Sequence, residues 1–182
     1  MITSYYPKIN PFILIAGTCI IILFSWFLSI KHKRYHGIVR FFAFESIFIL
    51  VLLNLNIWFK NPISPLQIIS WFLLLLSVYI AVAGFLLLKK IGKPDSNFEN
   101  TSVLVKVNLY KYIRHPLYLS LFLLGTGVMI KDPAPAQLIF GMVNLVAVYF
   151  TARMEEKEMI ARFGKEYQEY MKESKMFIPF IL

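Results

Sequence analysis

Two short stretches of the chain carry residue types that can do chemistry at a membrane boundary. In Tyr110-Lys111-Tyr112-Ile113-Arg114-His115-Pro116-Leu117-Tyr118 the proline suits the first turn of a helix, where its missing N–H would be unpaired anyway. Arg114 and His115 then stand at a helix N-terminus, where the dipole and the guanidinium both favour an anion. In Arg153-Met154-Glu155-Glu156 two carboxylates follow directly on an apolar run, and acids at that depth are costly unless paired or solvated. One stretch is suited to negative charge and the other to a cation. Each has a plain reading too: Tyr and Arg form interfacial belts that anchor helices, and acids at a helix boundary are commonly solvated. A third stretch, Phe177-Ile178-Pro179-Phe180, is an apolar tail that must bury itself in protein or lipid.

The elements that hold these stretches are apolar. Of 182 residues 58% are hydrophobic and 16% charged, well above the apolar share of a soluble domain. A bilayer core about 30 Å thick takes roughly 20 helical residues, so the apolar runs count crossings. Residues 12–30 are uncharged, 41–59 carry only Glu45 with the polar Asn54 and Asn56, and 66–88 are the cleanest span. Residues 117–130 would cover only roughly 21 Å at about 1.5 Å per residue, and 136–151 are similarly short. The pattern predicts an all-α integral membrane protein of about five transmembrane helices with a C-terminal amphipathic helix.

A net charge of +9 could serve nucleic acid, but the basic residues lie between the apolar runs instead of on one soluble face. Lys31, Lys33, Arg34 and Arg40 flank the first link, six basic residues from Lys89 to Arg114 fill the third, and six from Arg153 to Lys175 follow the last run. The other links hold only Lys8, Lys60 and Lys131. The positive-inside rule then puts the N-terminus and the turns near Lys60 and Lys131 outside, and the long link and the C-terminus in the cytoplasm. The first run lacks a basic leader and a small-residue cleavage site, so it reads as a retained helix. Cys19, the single cysteine, lies within it as a small apolar residue, and neither a disulfide nor a metal cluster is expected.

Prolines and glycines mark the breaks, at Pro11, Gly37, Pro62, Pro65, Pro133 and Pro135, and the short links imply antiparallel hairpins. No repeat or low-complexity linker divides the chain, so one domain over 1–182 is expected, with a three-helix region over 1–90 and a second region over 91–182. The link 89–116 is too long for a hairpin turn. It mixes Gly92, Pro94, Asp95, Ser96 and Asn97 with Val103, Leu104, Val105 and Val107, which would seek burial. In 155–175, Met159, Ile160, Phe163, Tyr167, Tyr170 and Met171 recur at helical spacing, which predicts an amphipathic helix bent near Gly164. Gly125-Thr126-Gly127 suits close helix packing better than a phosphate loop. Glu45 is placed to snorkel or to pair with Arg40.

The order and spacing of these pieces carry a resemblance. An Arg-His-Pro-x-Tyr segment opening a short helix, a hairpin, Glu155-Glu156, then Phe163-Gly164-x-x-Tyr167-x-x-Tyr170 and Ile178-Pro179 resembles the isoprenylcysteine carboxyl methyltransferases and their prokaryotic relatives. Phospholipid methyltransferases share a related plan. The resemblance covers about the last 80 residues and implies an S-adenosylmethionine pocket at the cytoplasmic interface. On this sequence it implies Leu104 and Val105 near the adenine, Tyr110, His115 and Tyr118 lining the nucleoside side, and Glu155 with Glu156 holding the cofactor's ammonium. Asn108 stands where the family often has glycine, Ser120 where it has a small residue and Lys175 near an arginine. Asn tolerates a positive backbone dihedral well, whereas Lys175 lacks the arginine fork.

The implied reaction is methyl transfer to a lipophilic acceptor that enters from the bilayer, a carboxylate of an isoprenylcysteine-like molecule oriented by Arg114 or Arg153. Membrane lipids are expected neighbours, with no nucleic acid and no obligate protein partner. Two other readings stand beside it: a phospholipid amine N-methyltransferase, and a non-enzymatic membrane binding or transport protein. The latter would spread polar residues through mid-membrane faces, whereas here the densest polar cluster sits at one interface.

Overall fold

A computed structural model describes residues 9–94 and 101–179. Lys8, Asp95, Ser96, Asn97 and Phe180 lie outside the described residues. The described residues are helical apart from turns and isolated bridges: α1 (Pro11–Leu28), α2 (His36–Leu53), α3 (Pro65–Ile91), the single turn α4 (Leu109–Tyr112), α5 (Pro116–Met129), α6 (Pro135–Phe163) and α7 (Lys165–Glu173). A 3₁₀ turn over Ile30–His32 joins α1 to α2. Four helices, α1 with its 3₁₀ extension, α2, α3 and α6, are long and apolar enough to cross a membrane, and α5 is a shorter apolar helix of 14 residues. The chain is an all-helical integral membrane protein.

Proline sets most of the starts. Pro11, Pro65, Pro116 and Pro135 each stand at a first helical position, and Asn10 and Ser64 cap α1 and α3 with side-chain oxygens that accept from Phe12 N and Gln67 N. Two boundaries differ from the hydropathy reading. The second helix begins in the basic turn at His36 and stops at Leu53, because Asn54 turns inward and donates from Nδ2 to Val128 O at 2.9 Å. The run 136–151 is not a short span: α6 continues through Arg153, Glu155 and Glu156 to Phe163, 29 residues and about 43 Å. Charge ends an apolar run but not a helix. The amphipathic stretch 155–175 is accordingly divided between the end of α6 and α7, with the break at Gly164, whose φ of +58° suits glycine.

The packing order is not the chain order. The helix α2 packs chiefly on α6 and α3 chiefly on α5, while α5 sits centrally against α2, α3 and α6. The link after α2 therefore does not close a tight α2–α3 hairpin. Small and polar side chains make this possible. On α3 the buried stripe Gln67, Ser70, Leu74, Ser77, Gly84 faces α5, with Ser70 Oγ donating to Gly127 O at 2.7 Å and Ser77 Oγ to Ser120 O at 2.9 Å. The large apolar residues of α3, such as Phe72, Leu75 and Tyr79, point outward. Inside lipid, apolar burial does not pull helices together, so small residues and interhelical hydrogen bonds must.

The Gly125-Thr126-Gly127 segment is a packing device. A Cβ at Gly125 would run into the side chain of Asn144 on α6, and one at Gly127 would press on Leu74 at 3.1 Å. Asn144, thus admitted, donates from Nδ2 to Ala43 O of α2 at 3.1 Å and so joins α5, α6 and α2. At the far end of the bundle Lys131 is buried, pairs with Gln67 Oε1 at 3.0 Å, and lies over the Trp71 and Trp58 rings at 4.0 and 4.8 Å. Glu45 accepts from Thr18 Oγ1 at 2.7 Å. Replacing Gly125 by Leu should displace Asn144 and cost about 1–3 kcal/mol, read as a lowered thermal midpoint of the detergent-purified protein.

Candidate functional site

The end of the bundle where α2 and α5 begin and α3 ends is built by a strand-like exchange between distant segments. Arg114 N donates to Lys175 O at 2.8 Å, His115 N to Met176 O at 3.2 Å, and Lys175 N to Tyr112 O at 3.0 Å. Tyr170 OH on α7 donates to Tyr110 O. The C-terminal tail is thus sewn onto the Arg-His-Pro segment, and Met176 and Phe177 are buried in the core with Tyr118. Asn108 precedes α4 with a φ of +53°, the positive dihedral expected where the resemblance has glycine.

Arg114 is the knot. Its Nε and Nη2 each lie 2.8 Å from Glu156 Oε1, while Nη1 donates to Met171 O at 3.3 Å and to Ser174 O. All three guanidinium nitrogens are engaged by the protein, two by a carboxylate and one by the carbonyls that end α7. Glu156, 2% exposed, also lies 3.5 Å from His115 Nε2 and 3.6 Å from Arg153 Nη1. The carboxylate is surrounded by cationic and ring N–H groups, which offsets its burial.

Glu155 turns the other way, as one residue along a helix rotates about 100°. It lies on a cavity of about 340 Å³ whose wall also holds Leu104, Val105 and Met159. Its Oε1 is 3.4 Å from Arg34 Nη2 and its Oε2 is 3.8 Å from His115 Nδ1. The His115 ring stacks on Tyr118 with centroids 5.5 Å apart. Burial pushes the hydroxyls of Tyr110 and Tyr167 well above their ordinary range, and the charge of Glu155 adds to it. Both therefore remain neutral phenols, and both line the cavity.

The structure brings together Leu104, Val105, Tyr110, Arg114, His115, Tyr118 and Glu155 on one cavity wall. Glu156 stands behind that wall, bonded to Arg114, and Arg153 has a side chain 53% exposed on the outer face of α6. Lys175 is exposed and contributes backbone only.

Sequence reasoning missed the walls supplied by α2 and α3, where Arg40, Phe44, Phe85 and Leu88 line the same cavity. It also missed the link before α2. There Arg34 Nε is 3.0 Å from Glu158 Oε2, and His36 Nδ1, on a fully buried ring, is 2.9 Å from Glu158 Oε1. Arg34 and Arg40 were visible only as basic residues that orient a hairpin. Tyr167 and Tyr170 carried the signal of helical spacing without pointing to a cavity.

Comparisons with known proteins place the chain among methyltransferases. The profile of the phospholipid methyltransferase family matches residues 66–166, from the start of α3 into α7. A methanethiol S-methyltransferase of Crocosphaera subtropica is 31% identical over 139 residues, 71% of this chain and 53% of that protein. The protein-S-isoprenylcysteine O-methyltransferase of Saccharomyces cerevisiae is 38% identical over 85 residues, 46% of this chain and 35% of its own length, and that of Mus musculus is 37% identical over 93 residues, 48% and 31%. The chain spans about half the length, or less, of these relatives. No solved structure matches it. With more than half of its residues under one family profile, and those residues supplying α3, α5, α6 and the link that together wall the cavity, the chain belongs to the phospholipid methyltransferase family.

Proposed function

We propose that the cavity binds S-adenosylmethionine and that the chain transfers its methyl group to a lipophilic acceptor bearing a carboxylate, of the isoprenylcysteine kind. The observation that carries this is the pairing, in one cavity, of a carboxylate at the polar end with an apolar and aromatic body. Glu155 suits an ammonium, and Leu104, Val105 and Met159 beside the stacked His115 and Tyr118 suit a flat nucleoside. The donor set therefore fits the cofactor that methyltransferases of this family imply. When bound, that cofactor supplies an electrophilic methyl on a sulfonium.

The residues of the chain do the rest by holding and excluding. Leu104 and Val105 close one side, Tyr110, Tyr167 and Tyr170 exclude water as neutral rings, and Arg114 with Glu156 locks the C-terminal segment over the site. Arg114 keeps its guanidinium nitrogens on the protein, so its part is to position the wall of the cavity, and any contact with an acceptor exchanges one of those bonds. Arg153 lies outside the cavity and would meet an acceptor only at the membrane surface. Arg40 and Phe44 on α2, with Ala81 and Phe85 on α3, line the same cavity, and an acceptor tail enters between those two helices. Cations on the wall favour an acceptor that is already an anion near neutral pH and needs positioning more than deprotonation.

The basic links put this end of the bundle in the cytoplasm and the N-terminus outside. A thiol acceptor is the second reading, supported by the relatives named methanethiol S-methyltransferase. An amine acceptor would have to sit beside Arg40 and Arg114, against its own charge.

Glu155→Gln should weaken S-adenosylmethionine binding by about tenfold or more, the loss of one charge-assisted bond, in calorimetry on detergent-purified protein. Unchanged affinity would remove Glu155 from the site. Offered prenylcysteine analogues, small thiols and phosphatidylethanolamine in parallel, the protein should yield a base-labile methyl ester. A thioether or a methylamine as the main product would instead assign the thiol or amine acceptor.

A further inference from the structure

The link 30–36 lies outside the residues that the family profile covers, yet it reaches the site. Arg34 is held on both sides: its backbone N–H donates to Ser29 O at 3.0 Å and its carbonyl accepts from Gly37 N at 3.2 Å. Its Nε is fixed by Glu158 at 3.0 Å, and Glu158 is held in turn by the buried His36. This leaves the outer nitrogen, Nη2, beside Glu155 Oε1 at 3.4 Å. That distance is at the long limit of a hydrogen bond, so it is an exchangeable contact, unlike the 2.8 Å bonds that commit Arg114 to Glu156.

Glu155 lines the cavity and the Arg34 guanidinium abuts it from outside that lining; a carboxylate and a guanidinium side by side are complementary to a ligand that carries an ammonium and a carboxylate on adjacent positions. A single acid reads only half of such a group. Arginine presents a planar fork that matches a carboxylate. Arg114 is bonded through all three nitrogens, to Glu156 and to the carbonyls that end α7.

We propose that Arg34 is a ligand-binding residue for the α-carboxylate of the cofactor's amino-acid end, so that Arg34 and Glu155 together recognise a zwitterionic α-amino acid. This rests on the reading of the cavity as an S-adenosylmethionine site. The first two helices then supply more than the acceptor side, because their link completes the cofactor site.

Three probes separate the roles by calorimetry on the full chain in detergent. S-adenosylhomocysteine carries both charges, decarboxylated S-adenosylhomocysteine keeps the ammonium alone, and 5′-methylthioadenosine has neither. Arg34→Gln should weaken S-adenosylhomocysteine by about tenfold and leave the other two within about twofold. Glu155→Gln should weaken the first two and spare the third. An equal loss of S-adenosylhomocysteine and the decarboxylated probe in Arg34→Gln would overturn the proposal, since Arg34 would then only hold Glu155 in place. No loss for either would overturn it as well. Wild-type protein that binds none of the three would sink the cofactor site itself, a different outcome from a site that binds but ignores Arg34. Should Arg34→Gln also lose 5′-methylthioadenosine, as a misfolded chain would, Arg34→Lys makes the same comparison with the charge kept and the fork removed.

Discussion

The Arg114–Glu156 pair is the interaction on which the site depends. It is almost fully buried, and removing one partner of such a pair leaves an uncompensated charge at a cost of about 3–5 kcal/mol. What the pair secures is a meeting of three segments that share no helix: the end of α6, the start of α5 and the tail after α7. Glu156 on the rigid α6 fixes the guanidinium, and the guanidinium gathers the carbonyls of Met171 and Ser174. Once Glu156 faces that way, helical geometry turns Glu155 to the opposite side and into the cavity. A carboxylate bonded to Arg114 and a carboxylate facing the cavity thus follow from adjacent positions.

The remainder of the bundle obeys the converse constraint. Large apolar side chains face outward, where they meet lipid, and serine, glycine, asparagine and glutamine face inward. Gln67 and Lys131 tie α3 to the link after α5 at one end of the bundle, while Asn144 ties α2 to α6 in the middle. These bonds, not apolar burial, place α5 between α2 and α3. They leave those two helices apart over the site end, where Arg40 and Phe44 of one and Phe85 of the other face a common space.

Much of this was legible in the sequence, for identifiable reasons. Hydropathy located the helices because a bilayer imposes a length, and Gly164 announced the break before α7 because few residues take its dihedral. Asn108 in place of a glycine pointed to the same kind of backbone. The run 136–151 misled because hydropathy measures the lipid-facing part of a helix and not the helix, so the extension to Phe163 was hidden by its charges. Asn54 misled in the other direction, ending α2 within an apolar run by bonding to a helix 74 positions away. The roles of Arg34 and Arg40 were hidden more deeply. A basic residue beside a span satisfies the orientation rule whether or not it does anything else, so composition has no means of telling an anchor from a ligand.

The same ambiguity bears on the acceptor. The lining carries Arg40, Arg114, His115 and Glu155 together with tyrosines whose hydroxyls are raised beyond reach of neutral pH. Those phenols cannot take up a proton-accepting role as phenolates. If Glu155 is occupied by the cofactor's ammonium, it is a poor base as well, because a proton accepted there would break the bond that holds the ligand. A reaction that begins with removing a proton from an amine would then have the His115 imidazole as the base this wall offers. An acceptor that arrives as an anion asks only for a cation and an apolar path. On the proposed reading, an acceptor that arrives as an anion asks less of this wall than one that must first lose a proton.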